Sequence, residues 1–299
     1  MLSGPYNLKT TRELLAALGH SPKKSLGQNF LVDGNIVRKS LELAQVRAGD
    51  AIVEIGPGLG TLTLALLQAG ARVFAVERDA TLAAHLRERV APLFPQTFNL
   101  LEADAMDFPL AAFPQAGVPA NEAANFKIVA NLPYAISTPW MDAVLERAPL
   151  PQTLVLMLQK EAAERFAAAA GTKNFGALSV FLDAAYERAP GHRVPAQCFF
   201  PQPKVDSVLL HLRRRERPIL FSQAARRLIR ALFTFRRKQL GSALKKILKA
   251  DEFAAAAVPA GRVSAWLGEL PKFGASELSR PESVPADAWL RLNALLAAQ

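Results

Sequence analysis

Five short apolar runs, Ala51–Ile55, Arg72–Val76, Phe98–Leu101, Lys127–Ala130 and Thr153–Leu158, recur along the first half of the chain, with helix-patterned segments such as Thr61–Ala69 and Ala80–Val90 between them. The runs do not alternate strictly between apolar and polar residues, so the strands they predict must be covered on both faces. Parallel strands joined by amphipathic crossover helices satisfy that demand. The expected fold is therefore α/β, a doubly wound, Rossmann-like sheet. Val205–Leu212 reads differently: Val208, Leu210 and Leu212 share one face and Ser207 and His211 the other, the period-2 pattern of a late strand reached through the proline-rich stretch Pro195–Pro203. Beyond Arg217 the pattern turns helical, interrupted at Pro259–Gly261 and Pro271–Gly274. These shifts divide the chain into an α/β domain, residues 1–213 with a basic lead-in over 1–34, and a small all-helical domain, residues 214–299.

Charge is concentrated rather than spread. Between Arg213 and Lys249 stand thirteen basic residues against one acid, Glu216, within a chain of net charge +10. A solvated helix face would mix signs for pairing one turn apart, so the imbalance points to a polyanionic partner. The single cysteine, Cys198, excludes an internal disulfide, and the four histidines lack metal-ligand spacing, so no metal is expected. The first ten residues lack the apolar stretch of a secretion signal, and no apolar run is long enough to span a bilayer. A cytoplasmic location with no membrane partner is the corresponding expectation.

The first strand ends in Gly56-Pro57-Gly58-Leu59-Gly60 before Thr61 opens a helix. Glycines there let the backbone turn tightly and approach a ligand, although a purely structural strand-to-helix turn uses them as well. The G-x-G-x-G spacing departs from the dinucleotide fingerprint G-x-G-x-x-G and suits a nucleoside gripped through ribose and base. Glu77 closes the second strand, where its carboxylate can accept from ribose hydroxyls. Asp104 follows the third, where it can accept from an adenine amine. Gly58, Arg78 and Ala105, beside these groups, belong to the same expected set.

The fourth strand runs into Asn131-Leu132-Pro133-Tyr134. The lone pair of an aromatic amine such as adenine N6 is delocalised into its ring, so a methyl acceptor of this kind must be held by two hydrogen-bond acceptors that turn the lone pair toward the donor. The Asn131 side-chain oxygen and the Leu132 carbonyl can do this, with Pro133 fixing the turn. Tyr134 offers an aromatic face to an unstacked base, and Phe199 or its neighbour Phe200 is the candidate for the opposite face. Transfer from a sulfonium needs orientation more than a strong base, so no catalytic His or Cys is required.

Read in series, Lys23-Lys24-Ser25-Leu26-Gly27-Gln28-Asn29-Phe30-Leu31, Val53 to Gly60, Asn131 to Thr138, Gln159-Lys160-Glu161, Pro201 to Ser207 and Phe235-Arg236-Arg237-Lys238 closely resemble the small-subunit ribosomal RNA adenine dimethyltransferase family, whose relatives include the Erm methyltransferases. The likeness spans nearly the whole chain in order and is loose only after Asp251. It implies a pocket for S-adenosylmethionine lined by Asn29, Leu31, Gly56, Glu77, Asp104 and Asn131, with Gln28 close by. It implies as substrate two adjacent adenosines near the 3′ end of 16S rRNA, each dimethylated at N6, within the small ribosomal subunit or its precursor, by an enzyme acting as a monomer. On that reading residues 214–299 bind RNA, and Lys23, Lys24, Arg236, Arg237 and Lys238 are the expected phosphate contacts. An Erm-type enzyme acting on 23S rRNA, an assembly factor with vestigial methylation and a DNA adenine methyltransferase are the competing readings. Leu132 within the Asn131–Tyr134 turn and the complete Lys23–Leu31 lead-in favour the small-subunit enzyme over the Erm type.

Overall fold

The computed structural model describes residues 7–113, 124–249 and 259–297. Asp251, where the sequence likeness loosens, lies outside them. The chain forms two compact units, Met1–Ala163 with Glu187–Arg214, and Glu164–Tyr186 with Arg215–Gln299.

The first unit is built on a seven-stranded sheet of order β4-β3-β2-β5-β6-β9-β7. Its members are β2 (Ala51–Ile55), β3 (Arg72–Glu77), β4 (Phe98–Glu102), β5 (Lys127–Asn131), β6 (Thr153–Gln159), β7 (Tyr186–Val194) and β9 (Ser207–Arg214). The pairs β2–β3, β3–β4, β2–β5 and β5–β6 are parallel, and β6–β9 is antiparallel. All five residues of β2 are buried, as are Leu154 to Leu158 of β6, which is why their sequences carry no alternation. The crossover helices Thr61–Gln68 and Ala80–Arg89 supply the cover. The second is started by Asp79, whose side chain accepts from the N–H groups of Thr81 and Leu82.

Two features of this unit depart from the sequence reading. Ser207 and Leu209, on the face of β9 expected to be the polar one, are 0% and 1% exposed, because β9 lies inside the sheet between β6 and β7. Strand β7 was not expected at all. Its sequence, Tyr-Glu-Arg-Ala-Pro-Gly-His-Arg-Val, is mostly solvent-exposed and carries a proline, which a sheet tolerates at an edge. Gly191 is needed there, since a Cβ at that position would sit 2.4 Å from the Leu209 carbonyl oxygen.

The second unit gathers helices Ala177–Ala185, Gln223–Thr234, Leu240–Ile247, Ala260–Glu269 and Ala286–Ala297. The sequence reading kept Glu164–Tyr186 with the α/β domain, whereas this segment groups with the helices. The reason is apolar: the Phe181 ring lies 5.1 Å from that of Phe221 and under the Arg226 guanidinium at 4.3 Å. Trp266 and Trp289, both fully buried, stack at 5.3 Å, with Phe233 5.8 Å from Trp289 and Phe175 beyond it. Trp266 Nε1 donates to the Ala288 carbonyl, while Trp289 Nε1 is buried without a hydrogen-bond partner.

Truncating Leu66, 0% exposed on the first crossover helix, to alanine should cost about 2–5 kcal/mol of unfolding free energy by denaturant titration. Leu278→Ala, at a side chain 64% exposed, should stay within about 0.5 kcal/mol. Equal losses at the two positions would contradict this placing of the core.

Candidate active site

In the sheet order, the chain moves outward from β2 through β3 to β4, then returns to the other side of β2 to lay down β5. The crevice at the carboxyl ends of β2 and β5 is therefore the topological switch point, where sheets of this type bind ligands. Ile52 pairs with Lys127 and Val53 with Ile128, a register that brings Gly56 level with Asn131 as the two strands end. The cleft that opens there encloses about 1060 Å³, its mouth included, and is lined by Gly56 to Leu59, Glu77, Arg78, Asp104, Ala105, Asn131 to Ile136 and the lead-in residues Ser25 to Leu31.

Glycine is required at two points of the wall. Gly56 and Gly58 have φ of 66° and 62°, a left-handed conformation that costs other residues strain. A Cβ on Gly58 would come within 3.2 Å of the Phe30 ring, and one on Gly56 within 3.4 Å of Pro133. At Gly58 the Phe30 ring would have to give way by a few tenths of an ångström, whereas at Gly56 the contact with Pro133 is an ordinary one and the positive φ is what calls for glycine.

Glu77 is buried, its carboxylate accepting from the Gly58 N–H at 3.0 Å and the Asp79 N–H at 2.8 Å. Burial drives its pKa above the ordinary glutamate value, against the pull of the Asp79, Gly58 and Arg78 backbone donors. A carboxylate has about four lone-pair directions, so it can still accept from a ligand. Asp104 uses one oxygen to accept from the Met106 N–H at 2.9 Å and pairs the other with Arg78 at 3.1 Å. Asn131 donates its side-chain N–H to the Asn29 carbonyl at 3.0 Å, and Asn29 in turn donates to the Gly27 carbonyl at 3.1 Å. The Asn131 amide is thereby oriented with its oxygen left over. Leu132 is buried, and among the described residues no backbone N–H takes its carbonyl. The Tyr134 phenol meets the Ser207 hydroxyl at 2.9 Å.

Several expected site residues have other work. Gln28 lines the cleft, but its amide is committed: it donates to Asp79 at 3.0 Å and accepts from the Lys23 N–H at 2.8 Å, with the His20 ring at 3.1 Å. The Lys23 ammonium lies 2.8 Å from the same Asp79 carboxylate. Burial alone would raise the Asp79 pKa, yet the bonds from Lys23 and Gln28 and the charge on His20 hold it below the ordinary value. Lys23 and Gln28 therefore fasten the lead-in to the start of the Ala80 helix, and Lys24, which is exposed, keeps a free surface position. Phe199 is placed elsewhere: it is 2% exposed within the sheet's hydrophobic cluster, where the short strand β8 (Phe199–Phe200) pairs with β1 (Phe30–Leu31), and it is not among the residues that line the cleft. Phe200 packs against the cluster of Leu15, Phe30, Leu59 and Leu82 beneath the Arg12 guanidinium and is not among the residues that line the cleft.

The basic run divides in the same way. Arg214 bonds to the Ala124 and Leu150 carbonyls, Arg215 to the Asp183 carbonyl, and Arg226 is buried over Phe181. Arg236 is bound to Glu282 at 2.6 Å and to the Lys173 carbonyl, whereas Arg237 and Lys238 are exposed. Lys246 stands close enough to Lys238 to press its pKa below that of an ordinary lysine, first by hydrogen bonding and then by like charge. No helix among the described residues is long and apolar enough to cross a membrane, and no described cluster of His, Cys, Asp and Glu is arranged to hold a metal ion.

Glu54 was not anticipated. It sits in the middle of β2, 2% exposed, with the Thr63 hydroxyl donating to it at 2.7 Å, and it lines the cleft. Burial, eased by Thr63 and reinforced by Glu77, lifts its pKa from 4.5 to about 8. One acid inside an otherwise apolar strand was the available signal.

The family described as ribosomal RNA adenine dimethylase matches residues 19–260. A protein of Opitutus terrae called ribosomal RNA small subunit methyltransferase A is 59% identical over 289 residues, covering 97% of this chain and 98% of its own length. One of the same name from Chlamydia felis is 36% identical over 296 residues, 96% and 94% of the two chains. Among solved structures, a dimethyladenosine transferase from Plasmodium falciparum superposes with a TM-score of 0.67 at 24% identity over 88% of this chain and 95% of its own, a likeness of fold. The 23S rRNA methyltransferase ErmE gives 0.59 at 27% identity over 90% and 100%.

Glu54 makes stability depend on pH with a definite sign. An unfolded glutamate releases its proton near 4.5 and the folded one near 8, so the folded state binds more protons in between; the stability tied to this proton is complete below 4.5 and is lost as pH rises through about 8. Glu54→Gln should therefore gain on the parent protein in thermal midpoint across that interval, with a gap that widens toward the alkaline end. A constant gap would show that this carboxyl does not hold the proton.

Proposed function

Because the chain belongs to the ribosomal RNA adenine dimethylase family, as the family match and its close relatives show, we propose that it methylates the N6 amines of two adjacent adenosines near the 3′ end of 16S rRNA, using S-adenosylmethionine, in the small ribosomal subunit or its precursor. The observation that carries this reading is the oriented Asn131 amide beside the unclaimed Leu132 carbonyl, both opening on the cleft that holds Glu77 and Asp104. Two fixed acceptors at one end and two carboxylates at the other match a target amine and a nucleoside donor in a single space.

The residues present fit the donor. Glu77 retains lone pairs for ribose hydroxyls, Asp104 for the adenine amine, and Gly56 and Gly58 keep the wall thin enough for close approach. When bound, S-adenosylmethionine supplies a methyl group on a sulfonium that already carries its leaving group. Asn131 and Leu132 then hold the amine N–H groups and aim the lone pair, so catalysis is mainly orientation. Tyr134 presents its ring to the flipped base. The amine's proton passes to solvent after transfer.

Asn131→Ala should lower kcat at least about 100-fold, since a misplaced acceptor forfeits alignment. The assay is transfer of labelled methyl to unmethylated 30S subunits, mature 30S subunits and 50S precursors, with the product nucleoside identified. Dimethyladenosine on unmethylated 30S alone supports the proposal. Label on 23S rRNA would reassign the chain to the Erm activity, and binding without label to an assembly factor.

Phosphate contact is assigned to Arg237 and Lys238, helped by Lys246, and no longer to Arg236. Arg237→Ala with Lys238→Ala should weaken RNA binding and reduce the slope of log affinity against log salt by roughly one unit per lost contact. Arg236→Ala should lower thermal stability with that slope unchanged. The reverse pattern would restore Arg236 to the interface.

A further inference from the structure

Ser207 is the first residue of β9, opposite Gln159 of β6, and it is 0% exposed. Its hydroxyl meets the Tyr134 phenol at 2.9 Å across 73 positions of sequence. At the other end of the same tyrosine, the backbone carbonyl accepts from the Ser137 hydroxyl at 3.1 Å. The residue is thus held at both ends of its length, once by its own helix start and once by a distant strand.

The strand end that carries Ser207 is itself fixed. The neighbouring Asp206 accepts from the Ala196 N–H at 3.0 Å and from Arg193 at 2.6 Å, and its carbonyl accepts from the Lys160 N–H at 3.1 Å. Two elements that flank the cleft side of the sheet, the Pro195–Asp206 loop and the end of β6, converge on this residue. Such anchoring exceeds what a surface strand end needs.

We propose that Ser207 is a positioning residue for methyl transfer: its hydroxyl pins the phenol end of the Tyr134 side chain, and so the place of the ring on which the target base rests. This rests on the reading of Tyr134 as the base platform given above. A phenol with no partner could swing about χ1, whereas a bond to a fully buried hydroxyl fixes its oxygen; turning about χ2 leaves that oxygen in place and is opposed only by the preference of the phenol O–H for the ring plane. Neither side-chain oxygen has another partner among the described contacts, so removing the phenol strands the buried Ser207 hydroxyl, and removing the hydroxyl frees the half-buried phenol.

The test is a double-mutant cycle on methyl transfer to unmethylated 30S subunits. Ser207→Ala and Tyr134→Phe are each expected to lower kcat about tenfold, the scale of one buried hydrogen bond lost, with S-adenosylmethionine affinity unchanged. The double variant should lose no more than either single one, and Ser207→Thr, which keeps the hydroxyl, should recover part of the rate. Tyr134→Phe removes the same bond without altering the sheet and so gives the answer if Ser207→Ala folds poorly. With 3-fluorotyrosine in place of the three tyrosines, the fluorine resonance of Tyr134 should move or broaden in Ser207→Ala while that of Tyr186 stays put. A kcat unchanged in both single variants, or losses that multiply in the double, would overturn the proposal. Tyr134→Ala separates the two readings: full activity in that variant removes the platform itself, while a severe loss there beside an unaffected Ser207→Ala removes only the positioning role.

Discussion

The parallel pairing of β2 with β5 is the constraint from which the rest of the first unit follows. Both strands are buried, so each must be reached by a crossover helix, and the chain can lay β3 and β4 on one side only by coming back for β5 on the other. That reversal leaves a crevice where no crossover connection covers the strand ends. Four of the ligand-binding and catalytic candidates in the cleft are a strand end or the turn after one: Gly56 after β2, Glu77 closing β3, Asp104 after β4 and Asn131 closing β5. The site is a by-product of strand order, furnished by four side chains or backbones that the sheet holds in register.

Against that crevice the lead-in acts as the fourth wall. Between Lys23 and Leu31 it holds only a single 3-10 turn and the short strand β1, yet Asp79 gathers Lys23, Gln28 and the start of a helix at one buried carboxylate, and Asn29 passes its carbonyl to Asn131. A carboxylate so enclosed would be costly alone; two side-chain donors and a helix terminus make it favourable. The binding wall and the catalytic turn are consequently joined by hydrogen bonds rather than by packing alone, which lets the position of one depend on the position of the other.

Much of this was legible beforehand, for physical reasons that differ by element. The strands of the parallel sheet announce themselves because burial on both faces leaves no polar positions, and the observed limits of β2, Ala51–Ile55, coincide with the apolar run. Strand β7 escaped because an edge strand can be polar, exposed and interrupted by Pro190. Glu77, Asp104 and Asn131 were readable from their place after strands, whereas the use of Lys23, Gln28 and Arg236 was not, since a basic or amide side chain looks the same in sequence whether it meets a phosphate or a carboxylate of its own chain. Phe199 was misassigned for a similar reason: an aromatic residue beside prolines can face a ligand or a core, and only the pairing of β8 with β1 decides.

The three tryptophans of the chain are distributed unevenly: Trp140 is buried in the first unit, hydrogen-bonded to the Pro109 carbonyl, while Trp266 and Trp289 are stacked in the second. Each unit thereby carries its own intrinsic fluorophore. Two indoles 5.3 Å apart exchange excitation energy and share an electronic environment that a lone indole lacks. The emission of the native protein is accordingly a superposition of two distinguishable signals, one from an isolated chromophore in the α/β unit and one from a coupled pair in the helical unit, so loosening of either unit can be followed without an added label.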